Sequence, residues 1–222
     1  WYFIEPSDVW FFRDAFPYAP GNSGTSHNIF PPSPQTLAGA FRSYLLAGSG
    51  AGWDFTKSPT PQAQEIRKAI GNSNSTGDFQ MRGPYLALRT TTYTMPLAPM
   101  PADAYLKDRR RGLYNAYRPL QQSPVTANWP EKHTFYPLWP PHGIRQDEPP
   151  DDAWLDAENF QRYLSGKDFS IRQDLFDEEL RTTNALDYAR KRAKDRMLAT
   201  APFLRLNSSK NERIGLLAQV NE

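Results

Sequence analysis

The sequence predicts an α+β fold made of short elements joined by long, extended loops. Three observations predict it. Proline is abundant, 21 in 222 residues, about twice its average share, and it breaks long helices and central strands. Aromatic residues make up 14% of the chain, so the loops must carry many of them. The strongest helical stripe lies in one segment, 30–48, while runs such as WYFIE and VWFF are short and rich in aromatic or β-branched residues. A helical bundle or coiled coil is excluded.

The first element is the run 1–5 (WYFIE), which reads as a strand closed by Pro6. VWFF at 9–12 is a second extended piece. The Gly/Pro/Ser/Asn-rich stretch 15–28 is expected to order against a partner. Residues 34–46 form a helix. Ser33 is its N-cap, Pro34 takes the first helical position, and Gly48 stops it. Leu37, Ala40, Phe41, Tyr44 and Leu45 make its apolar stripe, and Ala38, Gly39 and Ala40 a small-residue patch suited to close approach onto a sheet. A short helix is expected at 61–70 and a strand at 85–88. Residues 94–103 should run extended, and 119–150, with eight prolines, should form a loop that orders against a partner. Asp156 caps a helix ending at Gly166, with Phe160, Tyr163 and Leu164 inward. Residues 203–206 and 213–220 read as strands. Between 186 and 198, Leu186, Ala189, Ala193 and Met197 have helical spacing, so periodicity predicts a helix there.

Composition bounds the chemistry. Cysteine is absent, which removes disulfides and thiolate ligands and fits a reducing compartment. No run of 18 apolar residues or leader pattern occurs, so neither a membrane span nor a signal peptide is expected. The chain starts at Trp1, as expected of a portion of something longer. Net charge is only +2, but it is segregated. Lys107, Arg109, Arg110, Arg111 and Arg118 stand against Asp108 alone. Six basic residues in 181–196 stand against Asp187 and Asp195, while 146–160 holds six carboxylates and no Lys or Arg. Tyr114 and Tyr117 beside the first arginine run suit RNA, because rings stack on bases while guanidinium groups pair with phosphates.

No catalytic constellation emerges. His27, His133 and His142 lack a second ligand at metal spacing, and phosphate-loop and hydrolase motifs are missing. Asp8 and Asp14 flank VWFF and could share a metal, but carboxylate pairs near strand ends are common. Catalytic residues, cofactors and metals are therefore all expected to be none. His27 as a general base in RNA cleavage is the rival reading.

Two motifs carry a family resemblance. The first holds Ile4, Glu5, Pro6, Asp8, Phe11, Phe12, Arg13 and Asp14. The second holds Phe30, Pro31, Pro32, Ser33, Pro34, Thr36, Gly39, Ala40 and Arg42. Gly83–Leu86 with the run from Pro96 to Asp103, then Trp154, Leu155, Tyr163, Leu164 and Gly166, follow in the same family's order. So do Glu179, Arg181, Ala185–Asp187, Arg190, Met197, Leu198 and Phe203–Arg205. Together they resemble the third subunit of the Cmr complex, the type III-B CRISPR effector, in the RAMP superfamily. Thr183 and Asn184 replace its usual Gly-Ile, and Ala15 and Phe16 replace its usual Gly.

The resemblance implies an α+β, ferredoxin-like (RRM-like) RAMP fold with long insertions, in a chain lacking a second ferredoxin-like half. One unit over 1–222 would have a core of about 1–50, 81–95 and 200–222, and insertions at about 51–80 and 96–199. It also implies two extended segments around a basic turn at 181–206, against the helical periodicity. The implied function is a non-catalytic subunit in the prokaryotic cytoplasm. It would hold the repeat-derived 5′ handle of the guide RNA (crRNA) and bridge the large polymerase-like subunit to the backbone RAMP subunits, meeting target RNA only indirectly. The alternatives are a RAMP-type endoribonuclease using His27 and a scaffold that touches only proteins. Expected RNA-binding residues are Arg13, the helix start at Ser33, Gln35 and Thr36, Arg42 further along that helix, and the cluster Arg109, Arg110 and Arg111.

Overall fold

A computed structural model describes residues 1–14, 27–48, 61–71, 77–119, 125–128, 132–136, 138–139, 150 and 152–221. In chain order the elements are β1 (Tyr2–Ile4), α1 (Pro34–Gly48), α2 (Pro61–Ile70), β2 (Met81–Arg89), β3 (Thr94–Pro96), β4 (Ala98–Pro99), β5 (Ala104–Asp108) and β6 (Leu113–Ala116). Then follow β7 (Arg118–Pro119), β8 (Val125–Asn128), β9 (Lys132–Phe135), β10 (Leu138–Trp139), β11 (Trp154–Leu155), α3 (Ala157–Leu164), β12 (Phe176–Asp187), β13 (Arg192–Leu206) and β14 (Arg213–Val220). The fold is mixed α+β, and its strand pairings are antiparallel. It divides into two compact units, Trp1–Arg89 with Phe176–Glu222, and Thr90–Leu175. The expected single unit with insertions divides differently: 90–95, expected in the core, belongs to the second unit, and 176–199, expected in an insertion, to the first.

In the first unit, Ile214, Leu216, Leu217 and Ala218 are all buried, so β14 is covered on both faces rather than alternating. It pairs antiparallel with β1 on one side (Ile4 opposite Leu216) and β2 on the other (Leu86 opposite Leu216). β1 and β2 therefore run parallel with β14 between them, and α1 connects them through α2. This is a split β-α-β arrangement. Gly215 permits it: a Cβ there would stand 2.6 Å from the Ile4 carbonyl oxygen.

α1 begins where expected and packs on β2. Its inward face differs from the expected stripe. Leu37 and Leu46 are buried, whereas Ala40 and Leu45 are exposed and Tyr44 is 77% exposed. Tyr2, Ile4, Leu37, Ala40, Phe41 and Tyr44 line an open apolar groove of about 360 Å³. Nothing stands within 4 Å of the Cβ position at Gly39, so the small-residue patch makes no close approach.

The helix expected from periodicity at 186–198 is overturned. β12 and β13 form a long antiparallel hairpin, with Glu179 opposite Phe203 and Asp187 opposite Arg192. The two extended segments implied by the family pattern are what forms. The strands expected at 203–206 and 213–220 are present, the first as the end of β13.

The second unit is a set of short strand pairs around a core of Ala104, Tyr114, Leu155 and Phe169, with Phe160 and Tyr163 of α3 against it. Asp156 caps α3 by accepting from the Asn159 N–H at 2.9 Å, and Gly166 follows it at φ +65°. Leu164, expected inward, is 67% exposed. The described parts of 119–150 are not a plain loop. β8 pairs with β9 and β10 with β7. The 15–26 part of the Gly/Ser-rich stretch and most of the rest of 119–150 lie outside the described residues.

Candidate nucleic-acid interface

In the first unit the motif residues 8–14 form a strap along the base of the β12–β13 hairpin. Trp10 and Leu204 exchange both main-chain hydrogen bonds, at 2.9 and 2.7 Å. Residues 27–30 pair with the strap from the other side: the Ile29 N–H donates to the Phe12 oxygen at 2.8 Å, and Arg13 bridges to Asn28. The Asn28 side chain ties the layers, accepting from the Phe12 N–H and donating to the Pro202 oxygen, both at 3.1 Å. Alternation along an extended chain explains the aromatic density of the motif. Trp10 and Phe12 meet Phe30, and Phe30 meets Phe176 at 5.2 Å. Phe11 goes with Phe203 instead, at 5.0 Å.

A closed ring of charges sits beside Phe203. Glu179 Oε1 accepts from Arg181 Nε at 2.8 Å, and Arg181 Nη2 donates to Asp8 Oδ2 at 2.7 Å. Asp8 Oδ1 accepts from Arg205 Nη1 at 3.0 Å, and Arg205 Nη2 donates back to Glu179 Oε2 at 2.6 Å. Arg181 also lies over the Phe203 ring at 5.1 Å. Hydrogen bonds from Arg181 first, and Arg205 second, hold both carboxyls below the ordinary carboxylate range. The metal reading weighed for Asp8 and Asp14 thus meets an Asp8 whose two oxygens already serve two guanidinium groups.

Each residue expected to bind RNA has a definite place. Arg13 is exposed on the strap. It pairs with Asn28, five residues before Ser33, and antiparallel pairing directs Trp10 rather than Arg13 toward the helix start. Ser33, Gln35 and Thr36 are exposed at that start. The Ser33 hydroxyl accepts from the Thr36 N–H at 3.3 Å and lies 3.0 Å from the Thr36 hydroxyl. Arg42 is half-buried, with its guanidinium 5.1 Å from the centre of the Phe79 ring, so it packs within the first unit. His27 is exposed, and its carbonyl accepts from the Asp14 N–H at 3.2 Å.

Arg109, Arg110 and Arg111 lie in the second unit, exposed on the turn between β5 and β6. Asp108 Oδ1 accepts from the N–H groups of Arg110 and Arg111 at 3.0 and 3.3 Å. Arg111 Nε stands 3.9 Å from the other oxygen, and Gly112 follows at φ +61°. The tip of the β12–β13 hairpin repeats this construction in the first unit. Asp187 Oδ1 accepts from the N–H groups of Ala189 and Arg190 at 3.1 and 3.2 Å. Arg190 Nε stands 3.9 Å from Asp187, and Lys191 follows at φ +50°. In both, an aspartate folds the backbone into a turn and leaves three consecutive cations exposed, Arg190, Lys191 and Arg192 in the second case. The hairpin tip is not among the residues expected to bind RNA: periodicity reads 186–198 as a helix, and the basic turn there comes only from the family resemblance. The D-x-x-R spacing shared by 108–111 and 187–190 was the signal that marks it.

Asp168 anchors the polar side of the second unit. It takes Lys107 Nζ at 2.7 Å and the amide of buried Asn115, and Lys107 foremost holds its carboxyl low.

No curated protein sequence matches the chain. Among solved structures, a chain of a "Cryo-EM structure of the Type III-B Cmr-beta bound to cognate target RNA and AMPPnP, state 1" is similar at TM-score 0.42 and 11% identity. The match covers 99% of this chain and 53% of that one, so this chain spans about half the other's length. Residues 2–222 match the family described as "CRISPR-associated protein (Cas_Cmr3)". With the strap motif, the capped helix and the basic-tipped hairpin falling along that match, the chain belongs to the Cas_Cmr3 family of CRISPR-associated proteins.

Proposed function

We propose that this chain is a non-catalytic, guide-RNA-binding subunit of a type III-B CRISPR effector. It holds the repeat-derived 5′ handle of the crRNA and bridges the large polymerase-like subunit to the backbone subunits. The observation that carries the RNA reading is the pair of aspartate-folded turns, each with three consecutive exposed cations. The aspartates fix the main chain that carries these cations, and cations on phosphates position a strand without reading its bases. The split β-α-β of the first unit supports a ferredoxin-like RAMP core with β14 between β1 and β2. Arg13, Ser33, Gln35 and Thr36 remain candidates in this reading. Arg42 is a weaker one, because it packs on Phe79.

Crosslinking in the assembled effector tests the proposal. Peptides spanning 8–14, 108–112 and 187–192 are expected to crosslink to the guide handle. Crosslinks only to protein neighbours reject it in favour of a scaffold. Incubation of the isolated chain with precursor RNA should yield no cleavage; turnover lost in His27→Ala establishes an endoribonuclease instead.

A further inference from the structure

The ring of Asp8, Glu179, Arg181 and Arg205 joins parts of the chain far apart in sequence. Asp8 belongs to the strap, Glu179 and Arg181 to β12, and Arg205 to β13. Exposed single ion pairs contribute little, but this is a network in which each carboxylate serves both arginines. The strap has other anchors at Trp10 and Phe11, yet Asp8 alone ties its leading end to the ring. Arg13 lies five residues further along the same extended segment.

We propose that Asp8 and Glu179 are positioning residues for RNA binding. The ring they close with Arg181 and Arg205 seats the Arg13-bearing strap on the basic-tipped hairpin, so that the two act on RNA as one rigid body. This rests on the RNA-binding reading above. The guanidinium nitrogens of Arg181 and Arg205 are turned to carboxylates at 2.6–3.0 Å, so in this reading their part is to hold the strap rather than to meet phosphate. Geometry at the ring governs how well the strap presents its cation, since misplacement of about 1 Å in a supporting shell is enough to weaken a site.

Two measurements test the inference. Hydrogen exchange on the full chain without RNA reads the seat. Asp8→Asn should speed exchange at the Trp10, Leu204 and Ile29 amides roughly tenfold, and Asp8→Glu should restore most of the protection. Filter binding of labelled guide RNA to the reconstituted effector, over a salt series, reads the positioning. Arg13→Ala should lower affinity and flatten the slope by about 0.7, the value of one lost phosphate contact on a single strand. Asp8→Asn and Arg205→Ala should each lower affinity severalfold and flatten the slope by no more than Arg13→Ala does. Further flattening when Arg205→Ala is added to Arg13→Ala puts Arg205 on phosphate and overturns the inference. So does unchanged exchange in Asp8→Asn, or faster exchange with unchanged affinity while Arg13→Ala still binds poorly. Unchanged affinity in Arg13→Ala and in neutralised tips instead sinks the RNA reading itself, and the exchange result keeps the two failures apart.

Discussion

A single hydroxyl sets where the first helix begins. Ser33 stands before Pro34, and its hydroxyl shares the Thr36 N–H with the Ser33 carbonyl, at 3.3 against 3.1 Å. That much is legible from four letters of sequence, because capping depends on local geometry alone. Ser33→Ala should cost about 1 kcal/mol of stability, read by denaturant unfolding, with Ser33→Asp near neutral. If Ser33→Ala leaves stability untouched but weakens guide binding, the hydroxyl faces RNA and the cap is dispensable. Arg42 shows the opposite case. Its position off the apolar stripe marks it as exposed, yet the Phe79 ring, 37 residues on, covers it. Nothing local in the sequence encodes that contact.

At the scale of elements, the β12–β13 hairpin separates what periodicity can and cannot tell. Leu186, Ala189, Ala193 and Met197 have helical spacing, but 188–191 is a turn, so Leu186 and Met197 belong to opposite strands. Spacing carries information only within one continuous element, and the turn-forming Asp187 was the local clue that outweighs it. The ring at the hairpin base was invisible for a related reason: its members lie up to 197 residues apart. It has a pH signature. Asp8 and Glu179 are held below the ordinary carboxylate range, so their contribution is complete above that range and is lost as pH falls beneath it, through their lowered values. The stability gap between the wild-type chain and an Asp8→Asn/Glu179→Gln variant should therefore be open at pH 7 and narrow as pH falls below about 4. A gap of constant size across thermal melts in that interval contradicts the ring as a source of stability.

Across the whole molecule, charge is the property that the sequence shows before the fold does. The two basic runs at 107–118 and 181–196 become two turns of the same design, one in each compact unit. The acidic run at 146–160 gives α3 its capping Asp156, where burial raises the carboxyl but the Asn159 hydrogen bonds and Arg172 bring it down. What composition could not show was the partition of the chain, because Phe176 returns it to the first unit after 86 residues in the second. The two turns make a joint prediction. Each cation that meets a phosphate adds about 0.7 to the slope of log affinity against log salt. Replacing Arg109, Arg110 and Arg111 by Ala should then flatten the slope by up to about 2, and replacing Arg190, Lys191 and Arg192 should do the same. Separate sites act independently, so the combined variant should show the sum of the two losses, for handles of native and scrambled base sequence alike. A combined loss no larger than either single one means that the two turns do not hold separate phosphates. A loss confined to the native handle means that they read bases.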